Sequence, residues 1–217
     1  MSVSATRLAR AYVHAKQAVL ASGFGWEIAW QRSRQSVPIT EFIFLRESAW
    51  VILSAGMREA VIRLRFHAIS HCFLEWRSAE EIDRAGEACV RAALYHFNHE
   101  PKLQAIRTVS AVIAGNGFKS LKAEIQRNPR TALQQFPYIG PVTWLHLAKN
   151  IGIAVAKPDR HLCRLAECCG YEDAQAFCTE ISGFIGDPVD VVDIVLWRFA
   201  TLNTGNYIAV FKGVAQS

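Results

Sequence analysis

Asp159 is the residue whose type and position best suit it to chemistry. It follows Pro158, and the residue before a proline is biased to extended structure, while a helical pattern then runs to Cys169. Asp159 is therefore predicted at a helix N-cap, where N–H groups and the helix dipole stabilise a carboxylate. The cations Lys157 and Arg160 favour the same ionised form. An Asp at an N-cap is most often only a cap, so this position alone defines no site.

A tight hairpin between two helices is predicted shortly before this acid. Pro137 ends the first helix, Gly140 supplies the conformation of a sharp reversal, and Pro141 suits the first position of the next helix. That second helix is expected over Val142–Asn150. N–H groups left unpaired at its start would form a phosphate site. A phosphate-binding hairpin followed so closely by a positioned carboxylate favours a functional site over two separate structural features.

Together these segments resemble the helix-hairpin-helix DNA glycosylase superfamily, which includes endonuclease III and 8-oxoguanine glycosylase. Phe136–Trp144 is similar to its hairpin, whose pattern is Leu-Pro-Gly-Val-Gly followed by a helix, and Pro158–His161 resembles the Val-Asp-Thr-His segment that carries the catalytic Asp. Ala49–Ala55 is similar to the helix that ends in the DNA-probing loop, and Val191–Trp197 to the C-terminal helix. The resemblance extends over most of residues 41–200.

An all-α fold follows from the residues themselves, because a period of 3.6 dominates and strand alternation is nearly absent. The resemblance further implies one glycosylase domain over residues 1–217, with two helical lobes and a DNA cleft between them. One lobe would comprise residues 41–154 with the hairpin. The other would comprise residues 1–40 together with 155–217. Asp159 would then lie in the cleft.

The reaction implied by the resemblance is hydrolysis of the N-glycosidic bond of a flipped base. Bond cleavage builds positive charge on the sugar, which a carboxylate stabilises while it activates a water, and we assign this role to Asp159. Bifunctional relatives carry a Lys two residues after the last hairpin Gly, where this chain has Val142. Valine forms no Schiff base, so a monofunctional enzyme without lyase activity is expected. Trp50 replaces the Glu of the adenine-excising branch, which argues against adenine as the substrate.

Several further site residues are assigned by position, and each keeps a structural alternative. Gly56 stands where the family presents a Gln to the duplex, so Met57 or Arg58 would fill the gap, unless the segment is only a surface turn. Trp50, with Glu47 one turn earlier, would stack on the flipped base or belongs to the core. His161 contacts phosphate, orients the Asp159 region or makes a structural hydrogen bond. The expected DNA-contacting residues are Tyr138, Ile139, Gly140, Thr143, Met57, Arg58, Lys157, Arg160 and His161.

Composition limits the partners and cofactors. The net charge of +5 is consistent with a polyanion partner, no stretch is a credible membrane span, and Met1–Arg10 lacks the apolar core of a signal peptide. The six cysteines form no Cys-x-x-Cys pair and lack the spacing of the iron–sulfur loop of some relatives. Free thiols in a reducing cytoplasm, without a metal, iron–sulfur cluster or other cofactor, are therefore expected. The resemblance leaves room for a monovalent cation on hairpin carbonyls.

The expected partner is double-stranded DNA with a damaged or modified base, bound by a monomer. The base could be an oxidised purine, an alkylated base or a deaminated base. A modified base of phage DNA would make the same chemistry an antiviral defence. Two other classes remain open, a non-catalytic DNA-binding module and a helical protein-interaction domain. The presence of Asp159 beside the hairpin favours the enzyme.

Overall fold

Helices form every regular element of the residues that the structure describes. The computed structural model describes residues 3–212, with side chains from residue 6 onward. Within that range it contains fourteen α-helices, one short 3-10 helix and no strand, which confirms the all-α expectation. The α-helices are α1 Val3–Ala21, α2 Gly25–Arg34, α3 Glu41–Ser54, α4 Glu59–Cys72, α5 Ala79–Ala85, α6 Glu87–Leu94, α7 Glu100–Asn116, α8 Phe118–Arg127, α9 Pro129–Gln134, α10 Thr143–Asn150, α11 Arg160–Cys168, α12 Ala174–Ile185, α13 Val189–Leu202 and α14 Tyr207–Lys212.

Several helices begin at side chains that cap them. Thr40 accepts a hydrogen bond from a backbone N–H of α3, Ser78 does so for α5 and Asp173 for α12. Each cap satisfies one of the N–H groups that a helix start leaves without an intrahelical acceptor. The cap signals in the sequence therefore determine where these helices begin.

The helical period predicts one helix over Glu59–Trp76, but α4 ends at Cys72 and the 3-10 helix Leu74–Trp76 follows. The cause is the burial of Trp76, whose ring stacks on Phe73 with centroids 5.5 Å apart. Its indole N–H donates to the Ser70 hydroxyl at 2.9 Å. In a continued α-helix, Trp76 would lie six residues after Ser70 and on a different face, so this hydrogen bond would be lost and tertiary packing overrides the local pattern.

The chain divides into two compact units. We call Pro38–Ile151 the continuous unit, and Met1–Val37 together with Gly152–Ser217 the discontinuous unit. The resemblance placed the corresponding boundaries at residues 41 and 154. Residues 1, 2 and 213–217 of the expected single domain lie outside the described range. Among residues 3–212, no helix has both the length and the apolar content that crossing a bilayer requires.

The continuous unit is built around α3, which packs against α4, α7 and α10. Most of α3 is buried, because apolar residues occupy nearly all of its inward positions. The Phe44 ring lies 6.0 Å from Phe118 and 5.7 Å from Phe136, measured between centroids. Phe136 begins the turn between α9 and α10, so the core anchors this turn at its first residue.

The discontinuous unit has a core of α1, α11, α12, α13 and α14, and α2 packs against α13. Its buried apolar residues include Leu8, Val19, Phe177, Leu196 and Phe211. Polar groups also enter this core. The carboxylates Asp187, Asp190 and Asp193 are at most 5% exposed, just before and within the first turns of α13. Because a buried carboxylate is stable only when hydrogen-bonded, each needs fixed partners.

Asp187 joins α1 and α2 to the start of α13. It accepts from the Tyr12 hydroxyl at 2.7 Å, from Lys16 at 2.6 Å and from Arg32 at 2.5 Å. Burial raises the pKa of Asp187, but the hydrogen bonds of Lys16 and Tyr12 and the nearby cations outweigh it, so its pKa is lowered. Burial and the bond to Asp187 raise the pKa of Tyr12. The cluster therefore holds an ionised carboxylate against a neutral phenol.

Asp187→Asn should lower the free energy of unfolding by about 2 kcal/mol near neutral pH, because charged hydrogen bonds become neutral ones. The folded pKa of Asp187 lies below the unfolded value of about 3.9, so the carboxylate stabilises the fold above that value. This contribution is lost as the pH falls through the folded pKa, and the two proteins should converge in acid. Urea unfolding at neutral and acidic pH measures both effects.

Asp83→Asn is the control, since Asp83 is half-buried in α5 and lies outside the Asp187 cluster. It should change stability by less than about 0.5 kcal/mol. An Asp187→Asn protein as stable as this control near neutral pH would show that the cluster does not stabilise the unit.

Candidate functional site

Asp159 lies at the N-cap of α11, as its position after Pro158 predicts. Its Oδ1 accepts hydrogen bonds from the N–H groups of His161 and Leu162, both at 2.9 Å. No donor within residues 3–212 bonds to Oδ2, and the residue is half-exposed. One carboxylate oxygen is thus fixed by the helix start while the other is open to an external group.

Two side chains from other helices hold the irregular segment that leads to Asp159. Gln175 accepts the N–H of Ala156 at 2.7 Å, and Asp193 accepts the N–H of Lys157 at 2.6 Å. Both acceptors replace hydrogen bonds that regular structure would otherwise supply. The backbone just before Asp159 is therefore fixed from α12 and α13. The sequence alone does not identify either acceptor, because Gln175 and Asp193 lie 19 and 36 residues from the N–H groups that they accept.

Gly152 begins this segment and has a structural reason to be glycine. Its φ is +94°, and a Cβ there would lie 2.5 Å from the carbonyl oxygen of Arg34. Any other residue would both strain the backbone and collide with another backbone segment. The close approach fixes where the chain returns to the discontinuous unit.

His161 is 8% exposed, so the structure favours its structural alternative. Its ring meets Tyr207 edge-on at 5.4 Å, and Arg160 Nε donates to its Nε2 at 3.4 Å. Nδ1 then carries the proton and donates to the Tyr207 hydroxyl at 3.3 Å. Burial lowers the pKa of His161, and Arg160 and Arg164 add to this against the charge of Asp159. The neutral ring of His161 is therefore buried against Tyr207, whereas the side chain of Arg160 is exposed.

The turn between α9 and α10 reverses at Tyr138, which corrects the expectation for Gly140. Ile139 N–H bonds the carbonyl of Phe136 at 3.1 Å, with Pro137 at the second position and Tyr138 at the third. The φ of Tyr138 is +64°, the positive value that a type II turn requires at its third residue. Gly140 has no such φ. Pro141 is also not the first helical residue, because Val142 is the N-cap of α10 and the helix starts at Thr143.

The side-chain hydroxyl of Thr143 bridges two backbone groups of the turn. Its hydroxyl donates to the carbonyl of Tyr138 at 2.8 Å and accepts the N–H of Gly140 at 2.6 Å. The Gly140 N–H, expected to be open to a phosphate, is thus used within the turn. The N–H groups of Val142 and Thr143 bond to no acceptor within residues 3–212, so they are the donors left for an anion. Ile139 is 2% exposed and offers only its backbone to a ligand.

The segment after α3 ends in an exposed tip. Gly56 has a φ of +69°, and Met57 and Arg58 follow it on the surface. Lys102 of α7 lies beneath, and its Nζ donates to the carbonyls of Leu53 at 2.6 Å and Ala55 at 2.5 Å. Burial lowers the pKa of Lys102. Lys102 was missed from the sequence, although a lysine four residues before Ile106 on the apolar face of α7 is the signal that marks it.

The two expected base-pocket residues differ in their surroundings. Glu47 is 2% exposed, accepts from Asn150 Nδ2 at 2.9 Å and pairs with Arg46, so it ties α3 to α10. This placement favours a structural role. Trp50 is half-buried, and its ring meets Phe66 edge-on with centroids 5.0 Å apart. Its packing is compatible with either of the alternatives, a core residue or a stacking platform.

The expected site residues thus fall in two groups. Met57, Arg58, Tyr138 and Thr143 belong to the continuous unit, together with Ile139, Gly140, Glu47 and Trp50. Lys157, Asp159, Arg160 and His161 belong to the discontinuous unit. No protein-family model matches the chain, and no curated protein or solved structure is similar enough to count as a match. Any function must therefore be argued from these residues and their geometry.

Thr143→Val should destabilise the protein by about 0.5–1.5 kcal/mol, because the Tyr138 carbonyl and the Gly140 N–H lose their partner in a partly exposed turn. Thr143→Ser keeps the hydroxyl and should restore most of the loss. The matched control is Thr108→Val, since the Thr108 hydroxyl bonds only a carbonyl of its own helix on an exposed face. Urea unfolding compares the three variants. Equal effects of Thr143→Val and Thr108→Val would contradict the bridging role.

Proposed function

We propose that this chain is a monofunctional DNA glycosylase of the helix-hairpin-helix type. It binds double-stranded DNA that contains a damaged or modified base, flips that base out of the stack and hydrolyses its N-glycosidic bond. The products are the free base and an abasic site. The observation that carries the proposal is the half-exposed carboxylate of Asp159, with Oδ1 fixed by two N–H groups and Oδ2 open.

Such a carboxylate suits glycosidic hydrolysis for a physical reason. As the bond between C1′ and the base nitrogen breaks, its electron pair leaves with the base and positive charge develops on the sugar. The negative charge of Asp159 stabilises that cation. Oδ2 accepts a proton from the attacking water, whose oxygen bonds to C1′, and that proton then passes to the departing base through solvent, which restores the carboxylate. Because two N–H groups and the segment tied to Asp193 hold the carboxylate, little reorganisation accompanies the reaction.

Val142 supports the monofunctional assignment. It occupies the hairpin position at which bifunctional members of the superfamily carry a Lys, and the residue is 43% exposed. An isopropyl group cannot attack C1′ or form the Schiff base that precedes strand cleavage. Water is then the nucleophile, and the DNA strand stays intact after base release.

The distribution of charge supports a DNA partner. The continuous unit carries fourteen Lys and Arg against ten Asp and Glu, whereas the discontinuous unit carries ten against nine. Most of the net positive charge thus accompanies the turn at Tyr138–Thr143 and the exposed Arg58. Free N–H groups at a helix start and an excess of cations are the features that neutralise phosphates.

Asp159→Asn should reduce base release by about 10²–10⁴-fold, the usual contribution of a positioned acid–base group. Asn is also a good N-cap, so the fold and DNA affinity should change little. Asp173→Asn is the matched control, because Asp173 caps α12 in the same unit. Abasic-site formation is measured on duplexes with oxidised, alkylated or deaminated bases and on normal and hypermodified phage DNA.

Release that is lost in Asp159→Asn but kept in Asp173→Asn would establish the reaction and identify the base. Release from one substrate by both variants would remove Asp159 from the mechanism. Salt-sensitive DNA binding without release from any substrate would favour the non-catalytic binding module. A borohydride-trapped covalent adduct with DNA would contradict the use of water as the nucleophile.

DNA affinity should fall steeply with salt, since each neutralised phosphate contributes about −0.9 to the slope of log K against log salt. Arg58→Gln should reduce the size of that slope by about 0.9 if Arg58 contacts one phosphate. Arg91→Gln, on the exposed face of α6, should leave it unchanged. Fluorescence anisotropy over a salt series measures the slope. An identical slope for the two variants would remove Arg58 from the contact.

A further inference from the structure

Lys102 lies buried between two exposed turns of the continuous unit. It is 2% exposed, and its Nζ donates to two carbonyls at the end of α3, those of Leu53 and Ala55. The C-terminal end of a helix carries partial negative charge on its last carbonyls, which an ammonium group neutralises. Lys102 therefore fixes the chain directly before the tip at Met57.

The same ammonium group also faces the second turn. Its Nζ lies 5.8 Å from the ring centroid of Tyr138, within the range of a cation–π contact. His99, three residues earlier, meets the Tyr138 ring edge-on at 6.4 Å and stacks on Phe97 at 6.0 Å. The start of α7 thus holds Tyr138 from below, while 39% of the residue remains exposed.

Met57 and Tyr138 share two properties. Each is 39% exposed, and each occupies the tip of a turn with a positive φ, at Gly56 in one case and at Tyr138 itself in the other. A tyrosine in this conformation is strained, because its Cβ crowds the backbone where glycine would not. Backbone strain of this kind clusters at functional sites, and Tyr138, unlike Leu74 to Trp76 with their similar φ values, occupies an exposed turn tip.

We infer that Lys102 is a positioning residue that joins the Met57 and Tyr138 tips into one surface for a locally unstacked DNA duplex. Met57 is the apolar wedge, and the Tyr138 ring stacks on a base or packs on a sugar. This inference rests on the proposed function. It adds that the surface binds unstacked DNA through Met57 and Tyr138, and that Lys102 positions these two residues. The side chains of Met57 and Tyr138 carry no charge themselves, so what Lys102 supplies is their fixed relative position.

Trypsin cleavage after Arg58 tests the anchoring without any DNA. Lys102→Met removes both hydrogen bonds but keeps the length of the side chain. Losing charge-assisted hydrogen bonds should raise local opening at the tip by about tenfold or more. The ratio of cleavage after Arg58 to cleavage after Arg46, which lies inside the largely buried helix α3, separates local from global opening. Arg91→Met is the control with the same charge loss, and Lys102→Arg should restore most of the wild-type ratio.

A duplex with a central abasic-site analogue tests the binding role by anisotropy. Met57→Ala and Tyr138→Ala should each weaken binding. Lys102→Met should weaken it by at least as much as either, whereas Arg91→Met should weaken it by less than about twofold. Lys102→Met in the Tyr138→Ala background should cost less than it does alone, because one of its two tips is already lost.

The outcomes separate this inference from the proposed function. A Lys102→Met protein cut after Arg58 no faster than Arg91→Met would overturn the anchoring. Faster cutting with unchanged DNA affinity would overturn the joined surface and leave the glycosylase proposal intact. A wild-type protein that binds no duplex at any salt concentration would overturn both. Restored cleavage and affinity in Lys102→Arg would support the inference over a simple packing defect.

Discussion

The hydrogen bond from the Lys157 N–H to Asp193 is the constraint on which the placement of Asp159 depends. Asp193 is buried on α13, and its position follows from the packing of that helix against α1, α2, α11 and α12. Two other acids support the same helix, Asp187 from α1 and α2 and Asp190 from the amides of Gln31 and Gln35 at 2.8 and 2.6 Å. A buried carboxylate that lost these partners would be costly. Asp187 and Asp190 therefore fix α13 in the core, and Asp193 on that helix fixes the irregular segment before Asp159, which has no regular backbone hydrogen bonds of its own.

The turn of the continuous unit meets a different constraint, since it must reverse the chain in four residues. Pro137 fits the second position of that turn without strain, but the third position needs a positive φ that tyrosine adopts at a cost of about 1–2 kcal/mol. The Thr143 hydroxyl and the packing of Phe136 stabilise what the local sequence does not favour. The turn is thus fixed by tertiary contacts, and these contacts also fix the positions of the Val142 and Thr143 N–H groups that follow it.

Much of this arrangement could be predicted from the sequence because it is local. The caps at Thr40, Ser78 and Asp159 follow from residue type and spacing, since a cap bonds N–H groups two or three residues ahead. The reversal at Tyr138 could not be predicted, because glycine at position 140 is the better local candidate and only the Phe136–Ile139 hydrogen bond shows otherwise.

The partners that could not be predicted are those distant in sequence. Asp193 lies 36 residues from Lys157, and Lys102 lies 49 residues from Leu53. Neither pairing follows from a helical period, which assigns residues to faces but does not say which faces meet. A charged residue on an apolar face was the available signal in both cases, and it indicates that a partner exists without naming it.

The buried ammonium group at the end of α3 also changes the charge that this surface presents. A helix C-terminus carries roughly half a negative charge, which would repel an approaching phosphate backbone. Here the Lys102 charge lies directly behind the carbonyls of Leu53 and Ala55, where little water screens it. The buried charge therefore offsets the partial negative charge of these carbonyls from within, so the helix end does not weaken the positive charge of the exposed Arg58 next to Met57.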